Sequence, residues 1–122
     1  MIAFSEMDRH VTIREQLQEG GGPVVLINLF TVEPEEADQL LVAWAADARY
    51  MKQQPGFIST QLHRGIAGSG TFLNYAVWES VEHFRQAFES PEFQAKLVSY
   101  PPSTVALPHL FRKEAVAGIC VA

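Results

Sequence analysis

The chain has 122 residues, 48% hydrophobic and 19% charged, with a formal net charge of -5. That length fits one domain. The apolar share is enough for a core, and the acidic balance excludes the counterion-displacing surface that nucleic acids require. Cys120 stands alone and closes no internal disulfide, no apolar run reaches the ~20 residues that span a bilayer, and Met1 to Glu6 lacks a signal-peptide pattern, so the cytoplasm is the expected compartment, with no membrane partner.

Residues 1–22 read as a polar leader, with His10 to Ile13 a short strand and Glu15 to Glu19 a helical turn, ended by Gly20-Gly21-Gly22-Pro23. The domain proper is expected over residues 23–122. Val24 to Val32 is β-branched and apolar, a buried strand. Pro34 opens a helix whose first turn is acidic (Glu35, Glu36, Asp38), which suits the helix dipole. Ala37, Leu40, Leu41, Trp44, Ala48 and Met51 recur at helical spacing, and Pro55-Gly56 stops the helix. Phe57 to Arg64 and Thr71 to Glu79 are strands joined by the glycine-rich turn Gly65 to Gly70, a hairpin. Ser80 caps a helix carrying Phe84, Ala87 and Phe88, Ser90-Pro91-Glu92 starts a shorter one, and Pro108 to Val116 reads as the last strand.

The order strand, helix, strand, strand, helix, strand predicts a ferredoxin-like α+β domain: a four-stranded antiparallel sheet with helices on one face. In the third strand, alternation sends Phe72, Asn74, Ala76 and Trp78 one way and Leu73, Tyr75 and Val77 the other. Both faces are largely apolar, and one helix layer covers only one of them. Face-to-face pairing of two copies, a homodimer, is therefore expected.

Several catalytic signatures are missing. Gly20-Gly21-Gly22 precedes a strand instead of following one, no Gly-Lys-Ser/Thr loop is present, and His10, His63, His83 and His109 are scattered without a carboxylate or cysteine cluster. No metal, flavin or haem is expected. What stands out is polar groups in apolar strands: Asn28, His63, Asn74 and Trp78. Each either satisfies neighbouring backbone inside a core or faces a ligand. Asn74 and Trp78 share a strand face with Phe72, and a small apolar wall with two donors suits a planar aromatic ligand bearing oxygens.

Pro55-Gly56-Phe57, His63, Asn74-Tyr75-Ala76-Val77-Trp78-Glu79-Ser80, Phe84 and the Ser90-Pro91 break together resemble the antibiotic-biosynthesis monooxygenase family. The likeness runs from about Val24 to Val116 and is strongest from Pro55 to Phe93. It implies a dimeric α+β barrel and, in some members, oxidation of anthrones or quinols by molecular oxygen without a cofactor. The Asn and Trp that anthrone-oxidising members use fall on Asn74 and Trp78. Their Tyr on the next helix falls on Phe84, which lacks the hydroxyl. Their Arg on the helix after that falls on Lys96 or Leu97, of which Lys96 alone is charged. Haem-degrading members of the same fold use a first-strand Asn, matched by Asn28, but Ala87 and Leu97 stand near their Trp and His ligand positions.

The expected function is cofactor-independent oxidation of a small aromatic substrate by molecular oxygen. Asn74 and Trp78 hold its oxygens, and Asn28, Phe72, Phe84 and Lys96 line the site. His63 is either the general base or an exposed hairpin residue. Two other readings use the same fold: a non-catalytic dimeric binding or stress-response domain, and an isomerase or cyclase on a polyketide-like substrate.

Overall fold

The computed structural model describes residues 2–122. The chain runs β1 (Ala3–Phe4), α1 (Ile13–Gln16), β2 (Val24–Thr31), α2 (Ala37–Met51), β3 (Phe57–Arg64), β4 (Thr71–Trp78), α3 (Val81–Glu89), α4 (Pro91–Lys96) and β5 (Val105–Phe111). The sheet order is β1-β5-β2-β4-β3. Strands β2 to β5 form the expected antiparallel ferredoxin-like sheet, with β2 flanked by β4 and β5. Short 3₁₀ turns precede α2 at Pro34–Glu36 and follow α4 at Leu97–Ser99.

The sheet has a fifth strand that the four-strand expectation lacked. β1 pairs parallel to β5, placing Ala3 opposite Val105 and Phe4 opposite Ala106. Elsewhere in the leader no strand forms among the described residues. Thr12, expected inside one, is the N-cap of α1, in a reciprocal capping box with Glu15. Farther along, the Gln16 side-chain amide accepts from the Leu110 backbone N–H at 2.9 Å and donates to the Leu110 carbonyl at 3.0 Å. β1 and Gln16 therefore occupy the outer edge of β5, which would otherwise present unpaired backbone groups. Ile2 and Leu17, both from the leader, are buried.

β5 begins at Val105, three residues before the expected Pro108, and ends at Phe111 instead of Val116. The backbone of Ala106 and Leu110 bonds outward, to Ser5 and Gln16. By strand alternation Pro108 also points its nitrogen outward, between those two contacts, so its missing N–H breaks no bond to β2.

The helical face of the sheet carries two apolar clusters. Phe30, Phe72 and Ala106 pack with Leu40, Ala43, Phe93, Leu97 and Tyr100. Leu26, Ala76, Trp78 and Leu110 pack with Val81, Phe84 and Ala87. Gly56 holds the turn into β3 with φ +85, and a Cβ there would lie 2.2 Å from the His83 ring. Only glycine fits both constraints. His83 in turn meets Ser80, the α3 cap, at 2.7 Å.

Candidate active site

The two clusters do not close completely on each other. Between sheet and helices lies a cavity of about 50 Å³, well above the ~10–15 Å³ that one water needs. The sheet contributes Asn28 from β2, Thr60 from β3, and Asn74 and Trp78 from β4. Helix α2 contributes Trp44 and Asp47, α3 contributes Phe84 and Phe88, and Tyr100 also borders the space.

Alternation along β4 puts Asn74 here. Phe72, Ala76 and Trp78 are buried toward the helices, whereas Tyr75 is 40% exposed on the opposite face. Asn28 lies directly across the ladder from Asn74, so two amides reach the cavity side by side from neighbouring strands. Thr60 Oγ1 donates to Asn74 Oδ1 at 2.5 Å. That bond takes up the amide oxygen and leaves the amide nitrogen as the available donor.

The aromatic residues form a continuous wall. Trp78 meets Phe57 edge-on at 5.5 Å and Phe84 at 5.7 Å, and Phe84 stacks on Phe88 at 5.4 Å. Phe84 thus touches Trp78 directly and presents an apolar edge to the cavity.

Against this wall stand buried polar atoms with no hydrogen-bond partner among the described residues: Trp78 Nε1, Asn28 Oδ1 and Asp47 Oδ1. All three residues border the one cavity. An unsatisfied buried polar atom costs roughly 1–3 kcal/mol, so these three call for partners that enter the cavity, whether water or a ligand.

Asp47 is the site residue that sequence reading missed. It is 6% exposed, and its Oδ2 accepts from the Tyr100 hydroxyl. Burial raises its pKa to about 6, partly offset by the Tyr100 hydrogen bond and the Lys96 charge. Burial first, and then the Asp47 charge, push the Tyr100 phenol above its ordinary range. The signal in the sequence was an acid within an apolar helical face: Asp47 lies four residues after Ala43 and seven after Leu40, both buried.

Other expected site residues lie elsewhere. His63 is exposed and pairs with Leu73 across the ladder, on the opposite face of the sheet from Asn74. As a base for this cavity it is ruled out by strand parity. Phe72 does face the helices, but it is packed into the first apolar cluster with the Arg64 guanidinium 5.0 Å from its ring centroid, and it does not border the cavity. Lys96 sits at the end of α4, its Nζ 5.9 Å from the Tyr50 ring centroid; it acts on Asp47 through its charge and does not line the space. Among the described residues no cluster of three or more His, Cys, Asp or Glu is placed to hold a metal ion, and no helix is long and apolar enough to cross a membrane.

Comparison with known proteins is consistent with this geometry. Residues 23–96 match the family model for antibiotic biosynthesis monooxygenase. A deoxynogalonate monooxygenase of Streptomyces nogalater is 34% identical over 70 residues, which cover 57% of this chain and 58% of that protein. The structure of SnoaB, a cofactor-independent oxygenase of the same organism, superposes with a TM-score of 0.68 at 26% identity, covering 78% of this chain and 96% of SnoaB. A candidate monooxygenase of Shewanella loihica superposes equally well, with a TM-score of 0.68 at 32% identity over 79% of this chain and 98% of the other.

Proposed function

We propose that this chain, which belongs to the antibiotic biosynthesis monooxygenase family, oxidises a small electron-rich aromatic substrate of the anthrone or hydroquinone type with molecular oxygen and no cofactor. The observation that carries the reading is the trio of unpartnered buried polar atoms around one aromatic-walled cavity. A flat ring system bearing hydroxyl or carbonyl groups satisfies both the walls and the orphaned atoms. The oxygenase names of the Streptomyces nogalater relatives support the same chemistry.

In an anthrone the reactive carbon is a ring methylene. Loss of a ring-methylene proton gives a delocalised anion, which passes one electron to oxygen. The resulting carbon radical and superoxide join in a C–O bond, and the peroxide is protonated. Loss of the second methylene proton then breaks the O–O bond, leaving a carbonyl and water. The protein supplies position and charge stabilisation. The Trp78 N–H and the Asn74 amide nitrogen are the donors for the oxygen on which the anion's charge collects. The aromatic wall excludes bulk water, which strengthens those bonds.

An oxygen electrode with a panel of anthrones and hydroquinones tests this, with metal content and absorption measured on the same sample. Stoichiometric oxygen uptake by metal-free, colourless protein is expected. A stoichiometric cofactor, or product formed equally well under nitrogen, contradicts it; the second result points to an isomerase or cyclase using the same cavity.

The outer face of the sheet bears on assembly. Ile27, Leu29, Leu73 and Val77 are only partly covered there, and Tyr75 and Phe111 are each 40% exposed. We propose that a second copy covers this face. Sedimentation at micromolar concentration should give about twice the chain mass of 13.6 kDa; a stable monomer contradicts it.

A further inference from the structure

Asp47 is a buried carboxylate set into the cavity wall, apart from the Trp78 and Asn74 donors. We propose that Asp47 is the general base of this cavity and that the site therefore selects neutral, protonated phenols or anthrone-type carbon acids, which it converts to their anions only after binding. The proposal rests on the oxidase reading for its consequence, but the binding preference stands apart from it.

The geometry divides the carboxylate into two functions. Oδ2 is occupied by the Tyr100 hydroxyl. Oδ1 is buried, lacks a partner among the described residues, and belongs to a residue bordering the cavity. An ionised carboxylate oxygen accepts hydrogen bonds and cannot donate one. Asn28 adds a second unpartnered acceptor, its Oδ1. A ligand matching two acceptors must bring hydrogen-bond donors, which phenols supply as O–H groups and anthrone-type carbon acids as acidic C–H groups. A carboxylate or sulfonate ligand would meet the Asp47 charge in a water-poor space and be repelled.

The surroundings favour proton transfer. Asp47 and Tyr100 are the titratable side chains among those lining the cavity. From the sheet, Asn28, Thr60, Asn74 and Trp78 face it; from α3, Phe84 and Phe88 do. None of these six carries a charge. Lys96 on α4 acts on Asp47 from outside the lining. With its pKa raised to about 6, Asp47 is ionised at neutral pH yet basic enough to take a proton, the match a general base requires. In the step, the substrate O–H or C–H bond breaks, its electron pair stays on the substrate, and the proton forms the Asp47 carboxylic acid. Return of that proton to the peroxide regenerates the Asp47 carboxylate.

Two measurements test the proposal. The first needs no turnover and no variant. A hydroxyanthraquinone that oxygen does not attack and its analogue without the hydroxyl are titrated into the wild-type protein at neutral pH. The hydroxylated compound should bind roughly 10- to 100-fold more tightly, the span expected for a hydrogen bond to a charged acceptor, and Asp47→Leu should erase the preference. Equal binding of the two compounds to wild type overturns the proposal, whatever the activity. The second is the pH profile of oxygen uptake. Wild-type turnover should rise through about pH 6 and level off. Asp47→Asn should lower the plateau by roughly 100- to 10,000-fold and remove the rise, with a substrate already ionised in solution restoring most of the rate. Unchanged rate and profile in Asp47→Asn overturn the proposal and leave the oxidase reading intact. No uptake by wild type with any substrate, together with an Asp47-dependent preference for the hydroxyl, removes the oxidase reading and leaves Asp47 as the selector of protonated phenols.

Discussion

Replacing Asn74 with alanine should lower turnover about 100- to 1,000-fold, equivalent to roughly 2.7–4 kcal/mol of barrier, the loss typical of one donor to a developing oxyanion. The fold should tolerate the change. Asn74 is half-buried beside an existing cavity, so truncation enlarges that space without opening a new void in close packing. Among the described residues, its side chain hydrogen-bonds to Thr60 Oγ1. Thr60 also borders the cavity, where a water can take the amide's place, so the cost in stability should stay near ~1 kcal/mol. A core amide would give the reverse: a larger stability loss and activity falling only with the folded fraction. Melting temperature and oxygen uptake measured on the same variant separate the two.

A second large effect concerns stability and pH. Asp47 has its folded pKa raised from 3.8 to about 6, so between those values the folded state holds a proton that the unfolded chain has released. Its contribution is therefore most favourable below pH 3.8 and is lost as pH rises through about 6. The full swing is on the order of 3 kcal/mol. Asp47→Asn, with a neutral amide of the same shape, lacks this dependence. Urea unfolding at steps from pH 4 to pH 7 should show the variant gaining on wild type as pH rises, by up to roughly 3 kcal/mol at neutrality. Parallel curves for the two proteins would mean that Asp47 is solvated. Lys96 moderates the swing, because its charge favours the ionised carboxylate; Lys96→Met should widen it.

The regular elements were legible because their patterns are local. The apolar spacing from Ala37 to Met51, the glycine turn at Gly65 to Gly70, and the Ser80 and Ser90 caps each fix their element through neighbours in sequence. Thr12 to Glu15 carries a capping-box signature of the same kind, and reading His10 to Ile13 as a strand overlooked it. Pro108 misled because proline usually marks a strand boundary. Its tolerance inside β5 depends on which edge the strand presents, a property of sheet order that is invisible along the chain.

The site was legible in part. Strand parity placed Asn74 and Trp78 on the helical face, and the structure sets both at the cavity. The same parity in β3 put His63 on the other face, but the hairpin register needed to see this is set by the Gly65 to Gly70 turn and by a bulge between Phe57 and Ser59. Asp47 went unnoticed because an acid in a helix is ordinarily solvated. Its spacing from Leu40 and Ala43 was a local hint, and the approach of Tyr100, 53 residues away in sequence, completes its enclosure.

Isotopically labelled dioxygen tests the central claim most directly. With an anthrone as substrate, the cavity chemistry predicts one labelled oxygen atom in the quinone product and the other in water, with the labelled product falling in parallel with turnover in Asn74→Ala. Product carrying no label, or labelled product formed at the same rate by Asn74→Ala and wild type, would contradict it.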